Sequence, residues 1–374
     1  MSDNNFPKIT ISQFKKIIKQ QFDEKNFRPI FGLGKGGIGK TESIMELAKE
    51  LNVGYIDIRL LLYNETDLKG IPYPDKDHIK TIWLQNNILP TEEKDGRTGI
   101  LVFDEITSCA RSVRTAAYQL LNERRLGEYK LPDGWMVVCL GNGPDDGGDF
   151  NGMEGNFLNR CSVYEVLGSV NTWVEWAIDK GLNGLVTGYI RFKEDDMHTY
   201  NMDNELNLFA SPRSWKAVSD ILNINENTDD DIVKLRILGN LGTEVGQRFL
   251  AFTKFRTKAI SSEDILKGKG TYDFETKESI VITLNNLVRA VTEHMKQIQQ
   301  TGTVTNENLI AIANAFNWLF NLNCPGKKEY ILMTFKDIVE PFDTITYKLV
   351  MSQQFRQMCP SFQTFVAEYK NIVA

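Results

Sequence analysis

Histidine is scarce in this chain of 374 residues, and the three present, His78, His198 and His294, stand too far apart in sequence to suggest a histidine-based metal site. The five cysteines, Cys109, Cys139, Cys161, Cys324 and Cys359, are scattered without a CxxC spacing. They point to neither a disulfide framework nor a zinc site and are expected to be reduced packing residues. No apolar run approaches the ~20 residues that a bilayer span requires, and the polar opening MSDNNFPK lacks the apolar stretch of a secretory signal. A cytoplasmic protein without a membrane role is the expectation. The chain also lacks a strong excess of one charge. Its net charge of -6 gives no general attraction toward nucleic acid, although a local basic strip would be hidden in that sum. No internal repeat or low-complexity tract is present.

What remains has the composition of a globular protein, 42% apolar and 25% charged, long enough for two or three units with separate cores. Strand-like and helix-like stretches alternate over the first two thirds. Residues 11 to 22 read as an amphipathic helix, Arg28 to Phe31 as a buried strand, and Ile44, Leu47, Ala48 and Leu51 as a helical stripe. Tyr55 to Ile58, GILVF at 99 to 103 and WMVVCLGN at 135 to 142 read as further strands, the second apolar throughout, as in a parallel sheet covered on both faces. Val113, Ala116, Ala117, Leu120 and Leu121 form another stripe, followed by GEYKLPDG at 127 to 134, a hairpin pattern. This alternation predicts a wound α/β sheet. From about residue 170 the period is helical. Thr172 and Glu175 have capping-box spacing before Trp176. Ile280, Leu284, Leu287, Val288 and Val291 make one stripe, and Leu309, Ile312, Ala313, Phe316 and Phe320 another, both expected to be bundle core. Breaks in the pattern fall near 168 and near 261 to 270.

The segment GLGKGGIGKTE, residues 32 to 42, places five glycines and two lysines directly after a short apolar run. Gly34 to Thr41 fits G-x-x-x-x-G-K-[ST] between a predicted strand and a predicted helix, the context in which that pattern has a mechanism. Glycines let backbone N–H groups turn inward as an anion nest, and the helix start adds partial positive charge. The candidate phosphate-binding residues are Gly34, Lys35, Gly36, Gly37, Ile38, Gly39, Lys40, Thr41 and Glu42. Lys40 would reach the β and γ phosphates, and Thr41 would offer its hydroxyl to magnesium. The plain alternative is a glycine-rich surface turn.

Further along, GILVFDE ends a buried strand in two carboxylates. Asp104 would hold the magnesium and Glu105 would orient or deprotonate an attacking water, a role that phosphate binding alone does not need. The alternative for this pair is a solvated strand end. Asn142 ends the strand that follows, at the edge where ligands bind in open α/β sheets, and could hydrogen-bond the water or the γ phosphate. Alone, an Asn before Gly143 would be a turn residue.

Taken in order, Gly34 to Thr41, LVFDE, GN at 141 to 142, LNR at 158 to 160 and SPRSW at 211 to 215 resemble an AAA+ ATPase of the MoxR kind. DIRLLLYNETDLKGIP (57 to 72), LLNERRLGEYKLPDGW (120 to 135) and GNLGTEVGQRFLAF (239 to 252) extend the resemblance, which covers about residues 27 to 256. It implies an AAA+ P-loop fold: a three-layer α/β/α sheet domain, an all-α lid and a helical C-terminal extension. The corresponding divisions are 1–26 as an N-terminal helix, 27–168 as ATPase core, 169–260 as the lid and 261–374 as the extension. ATP and Mg2+ are the implied cofactors. Asn142 would be sensor 1, Arg160 the arginine finger aimed at a neighbouring subunit, and Arg213 sensor 2. For both arginines the alternative is a surface ion pair. The hairpin at 127 to 134 would face the centre of a ring. A homo-hexamer is implied, as is a client protein, in this kind often one with a von Willebrand factor type A domain. The last 120 or so residues match nothing recognised, and serve either as a docking surface or as added lid core.

One departure is the stretch GPDDGGDFNGMEGNF at 143 to 157, richer in glycine and acid than this pattern, which leaves Arg111, Arg114, Arg124 and Arg125 as other sources of a trans contact. Three other functions compete. KGGIGKT at 35 to 41 also fits the P-loop of ParA and MinD partitioning ATPases, with Lys35 reaching across a dimer, but a DE pair, a sensor asparagine and an arginine-bearing lid are not part of that pattern. A nucleotide-dependent scaffold without turnover would have no use for Glu105. A DNA-directed motor is disfavoured by the acidic balance and the lack of a DNA-reading module.

Overall fold

The computed structural model describes residues 6–77, 79–84, 87–143, 155–200 and 208–373. The chain divides into two compact units. Among described residues the first holds those up to Thr172, with Tyr200 and Ser211–Arg213, and the second holds Trp173–Thr199, Leu208–Ala210 and those from Ser214 onward.

The first unit is built on six parallel strands: β1 (Lys8–Thr10), β2 (Ile30–Leu33), β3 (Gly54–Arg59), β4 (Thr98–Asp104), β5 (Gly134–Gly141) and β6 (Ser162–Leu167). Their order across the sheet is β1-β6-β2-β5-β4-β3. Strict alternation along the strands feeds two cores. Ile30, Ile100, Val102, Met136, Val138 and Leu140 face one side, where helices α1 (Ile11–Asp23) and α2 (Lys40–Leu51) contribute Phe14, Ile18, Ile44 and Leu47. Phe31, Leu101, Phe103, Trp135, Val137 and Cys139 face the other, where helix α3 (Arg111–Glu123) contributes Val113, Ala116, Ala117, Leu120 and Leu121. Successive side chains of a strand point to opposite faces, so a sheet covered on both sides needs apolar residues at every position. This is the expected three-layer α/β/α arrangement with a helical C-terminal part.

Several elements differ in detail from the sequence reading. Strand β2 runs Ile30–Leu33 rather than 28 to 31: Pro29 has no N–H to give to a ladder, although its carbonyl accepts the Ser162 N–H at 2.8 Å, and the Arg28 side chain before it donates to the carbonyls of Asn159 (2.6 Å) and Cys161 (3.3 Å). Helix α1 is capped by Thr10 in a capping box with Gln13, and the residues before it form β1, a strand that periodicity did not reveal. The hairpin pairs Arg125–Leu126 with Tyr129–Lys130 around Gly127, whose φ of +60° suits the tight two-residue turn. A separate antiparallel ribbon, Ile71–Pro74 with Thr81–Leu84, went unread. Asp75 N–H donates inward to Lys80 O, so residues of opposite parity, Pro72 and Pro74, have their donor-less nitrogens on the outer edge, which discourages further strand addition.

The second unit is helical. It includes α4 (Val170–Asp179, inside this unit from Trp173), α5 (Gly184–Phe192), α6 (Pro212–Ile224, inside it from Ser214), and the long α7 (Lys277–Thr301) with α8 (Asn306–Phe320) and α9 (Lys327–Val339). Helix α4 starts before Thr172, whose N–H reaches Ser169 Oγ at 3.5 Å, so the capping spacing read at Thr172–Glu175 is displaced by three residues. The predicted stripes on α7 and α8 are buried, apart from the half-buried Phe320. Helix α5 is tied to the C-terminal helices by Arg191, which bonds Asn285 of α7 (3.2 Å) and forms a buried ion pair with Asp337 of α9. The cysteines are free thiols, all buried except the half-buried Cys324.

Candidate nucleotide-binding site

The carboxyl ends of β2, β5 and β4 lie side by side. Each delivers one part of the predicted site. The loop after β2 is anchored by its single apolar residue, Ile38, which is buried in the core beneath α1 and α2. Gly34 donates its N–H to Gly141 O at 3.1 Å, and a Cβ on Gly34 would stand 2.2 Å from the Val166 carbonyl, so only glycine lets the loop leave β2 between β5 and β6. Gly37 (φ +78°) and Gly39 (φ +99°) have left-handed backbones that favour glycine. Gly39, which has no side chain to cap with, is the N-cap of α2, and a helix start is the kind of place that favours an anion; Glu42 lies in the first turn and Lys35 is exposed.

Lys40 is almost fully buried and folds back over the loop, its Nζ donating to the carbonyls of Gly34 (2.5 Å) and Lys35 (2.9 Å). Thr41 Oγ1 donates to Asp104 Oδ2 at 2.8 Å. This contact joins the start of α2 to the end of β4, across the strand between them. The other oxygen, Asp104 Oδ1, accepts the Glu105 N–H at 2.8 Å. Glu105 has φ +57°, a left-handed conformation uncommon outside glycine, at the sharp turn where the chain leaves the sheet. A third carboxylate, Asp57 on β3, is held above the usual range by burial and by the negative charge of Asp104, with Arg59 pulling the other way. The end of the sheet at β3 and β4 thus carries the carboxylate of Asp104 with the cation Arg59 in register beside it.

The Thr41 hydroxyl and the Asp104 carboxylate suit a magnesium ion in ligand type. Among the described residues there is no cluster of three or more His, Cys, Asp or Glu side chains placed to hold a metal.

Asn142 sits beside the loop: a Cβ on Gly36 would be 4.0 Å from both atoms of its amide head. Its backbone N–H donates to Thr107 Oγ1 at 3.1 Å, a partner that sequence reasoning missed because nothing local marks a threonine as touching a strand 35 residues away. Ser211–Arg213 belong to the same unit, and a Cβ on Gly37 would be 3.3 Å from Ser211 Oγ and 3.9 Å from Arg213 Cβ. The exposed Arg213 therefore starts beside the loop.

Arg160 is exposed on the turn before β6. Since Ser162 pairs with Ile30 and Glu165 with Leu33, that turn lies at the amino edge of the sheet, away from the loop of its own chain by roughly 15 Å along the strands. Most of the acidic glycine-rich stretch before it, 144–154, lies outside the described residues. Of the other arginines, Arg124 is spent on the carbonyls of Pro132 and Trp135, both at 2.8 Å, and Arg114 is buried. Arg111 and Arg125 are exposed.

No protein family model matches the chain, and no curated protein matches it. Among solved structures it is similar to one from Cytophaga hutchinsonii described as a "putative ATPase" (TM-score 0.32, 14% identity, 88% of this chain and 82% of that one). It is also similar to the Thermotoga maritima RuvB Holliday junction branch migration motor (TM-score 0.33, 13% identity, 86% of each chain). At that distance neither likeness bears on activity, and the α/β reading stands on the sheet itself.

Proposed function

We propose that this chain binds Mg-ATP on the Gly34–Thr41 loop and hydrolyses it with Glu105 as the group that orients or deprotonates water. The observation that carries the reading is the 2.8 Å contact of Thr41 with Asp104, because it brings a phosphate-type loop and a metal-type carboxylate from different strands to one point. Lys40 neutralises phosphate charge, and the backbone N–H groups at the start of α2 hold phosphate oxygens. Asn142, between loop and carboxylates, orients the water or the γ phosphate. Arg213, beside Gly37, acts as the phosphate sensor at the head of the lid. Magnesium, held by Thr41 and Asp104, would offset charge on the β and γ oxygens.

The finer reading is a MoxR-like AAA+ protein that assembles as a ring, a hexamer by resemblance, and works on a client protein, for which a von Willebrand factor type A partner is the candidate. The position of Arg160 supports action in trans, since it is remote from the loop of its own chain and exposed toward any neighbour. Glu105→Gln tests the core of the proposal. ATP affinity should stay within about twofold while phosphate release drops on the order of a hundredfold or more, the usual worth of a general base. Undiminished turnover in that variant would place the catalytic carboxylate elsewhere.

A further inference from the structure

We infer that Thr107 is a positioning residue that locks the Glu105 turn to the Asn142 strand, so that the two groups on either side of the attacking water are held as one rigid piece. The inference rests on the hydrolytic reading above and adds a residue to it. Thr107 is fully buried, two positions after Glu105. Its hydroxyl accepts the Asn142 N–H at 3.1 Å, and one residue earlier the Ile106 N–H donates to Leu140 O at 3.1 Å. The turn also closes on itself through Ser108 N–H to Glu105 O, 3.1 Å. Glu105 adopts a left-handed backbone uncommon outside glycine, and the bonds around it hold the piece of backbone from which its carboxylate projects.

The fit is close on the other side as well. A Cβ on Gly141 would meet Thr107 Cγ2 at 2.6 Å and Oγ1 at 2.8 Å, so β5 can end beside Thr107 only with glycine there. The methyl fills the space that Gly141 leaves, and the hydroxyl fixes the next amide. Threonine supplies both. Valine keeps the volume and loses the acceptor, whereas serine keeps the acceptor and loses the methyl. Catalytic groups displaced by about an ångström lose on the order of a hundredfold in rate, so uncoupling the turn from β5 should act on turnover more than on nucleotide binding, most of whose groups lie on the loop after β2.

The test uses the full chain and its Thr107→Val and Thr107→Ser variants, with ATP affinity, kcat and amide hydrogen exchange at Asn142 as readouts. Thr107→Val should lower kcat about ten- to a hundredfold with ATP affinity within about twofold, and should speed exchange of the Asn142 amide; Thr107→Ser should keep most of the rate and protection. A Thr107→Val protein with normal kcat, while Glu105→Gln is inactive, overturns the inference and leaves the hydrolytic reading intact. Equal losses of affinity, rate and melting temperature in both variants would also overturn it, as a purely structural effect. If the unaltered chain binds ATP without cleaving it, the hydrolytic reading fails and this inference fails with it, even where Asn142 exchange shows the bond to be real.

Discussion

Replacing Thr41 by Val removes one hydroxyl and little volume, and the structure allows its consequences to be separated by metal. In the ligand-free chain the lost interaction is the half-exposed bond to Asp104 Oδ2, 2.8 Å long. Asp104 keeps its other bond, from the Glu105 N–H, so it is not left unsatisfied, and the stability cost should be only about 1 kcal/mol. In the nucleotide complex the same hydroxyl would be a magnesium ligand. Losing an interaction with a charged group there costs about 1.5–3 kcal/mol, or about 10- to 150-fold in affinity. Calorimetric titration of ATP, with excess magnesium and again with EDTA, reads this directly. Wild type and Thr41→Val should bind alike in EDTA and separate by that factor with magnesium. If magnesium strengthens ATP binding equally in both, Thr41 does not hold the metal and the proposed site is wrong in its centre.

Three other outcomes are expected. Lys40→Ala should weaken ATP binding about a hundredfold or more, since it removes a buried cation from the loop; unchanged affinity by equilibrium binding would contradict the phosphate assignment. Mixtures of Lys40→Ala and Arg160→Ala chains, each inactive alone, should regain part of the ATPase rate if Arg160 serves a neighbour, and no recovery at any ratio would exclude that role. In the helical unit, burial holds the Asp337 carboxyl above the usual range despite its Arg191 partner. Asp337→Ala alone should cost about 3–5 kcal/mol in denaturant unfolding, whereas Arg191→Met with Asp337→Leu should be near neutral. A near-neutral Asp337→Ala would mean the pair is not desolvated as described.

The parts of this site that were legible in the sequence are those encoded locally. The glycine-lysine loop, the carboxylate pair after five apolar residues and the two-sided apolar strands each carry a pattern within a dozen positions, and the loop and the carboxylates meet at Thr41 and Asp104. Three-residue β1 was missed because its pairing partner, β6, lies more than 150 residues away and a strand so short has no period to read. The ribbon at 71 to 84 was missed because two prolines in four residues argue against a strand, and only the pairing shows that both sit on the free edge. The role of Thr107 depends on which strand lies next to β4, a fact of topology that no local pattern contains. Helix α4 starts earlier than read because Ser169 and Thr172 both have capping chemistry and only the fold selects between them.

The most direct measurement is a crystal structure of the chain with magnesium and a non-hydrolysable ATP analogue. The account predicts the triphosphate along Gly34–Thr41, one metal ion bound to the Thr41 hydroxyl with Asp104 in its immediate surroundings, and the Glu105 carboxylate facing the γ phosphate. A triphosphate bound elsewhere, or a metal that touches neither Thr41 nor the shell around Asp104, would contradict it.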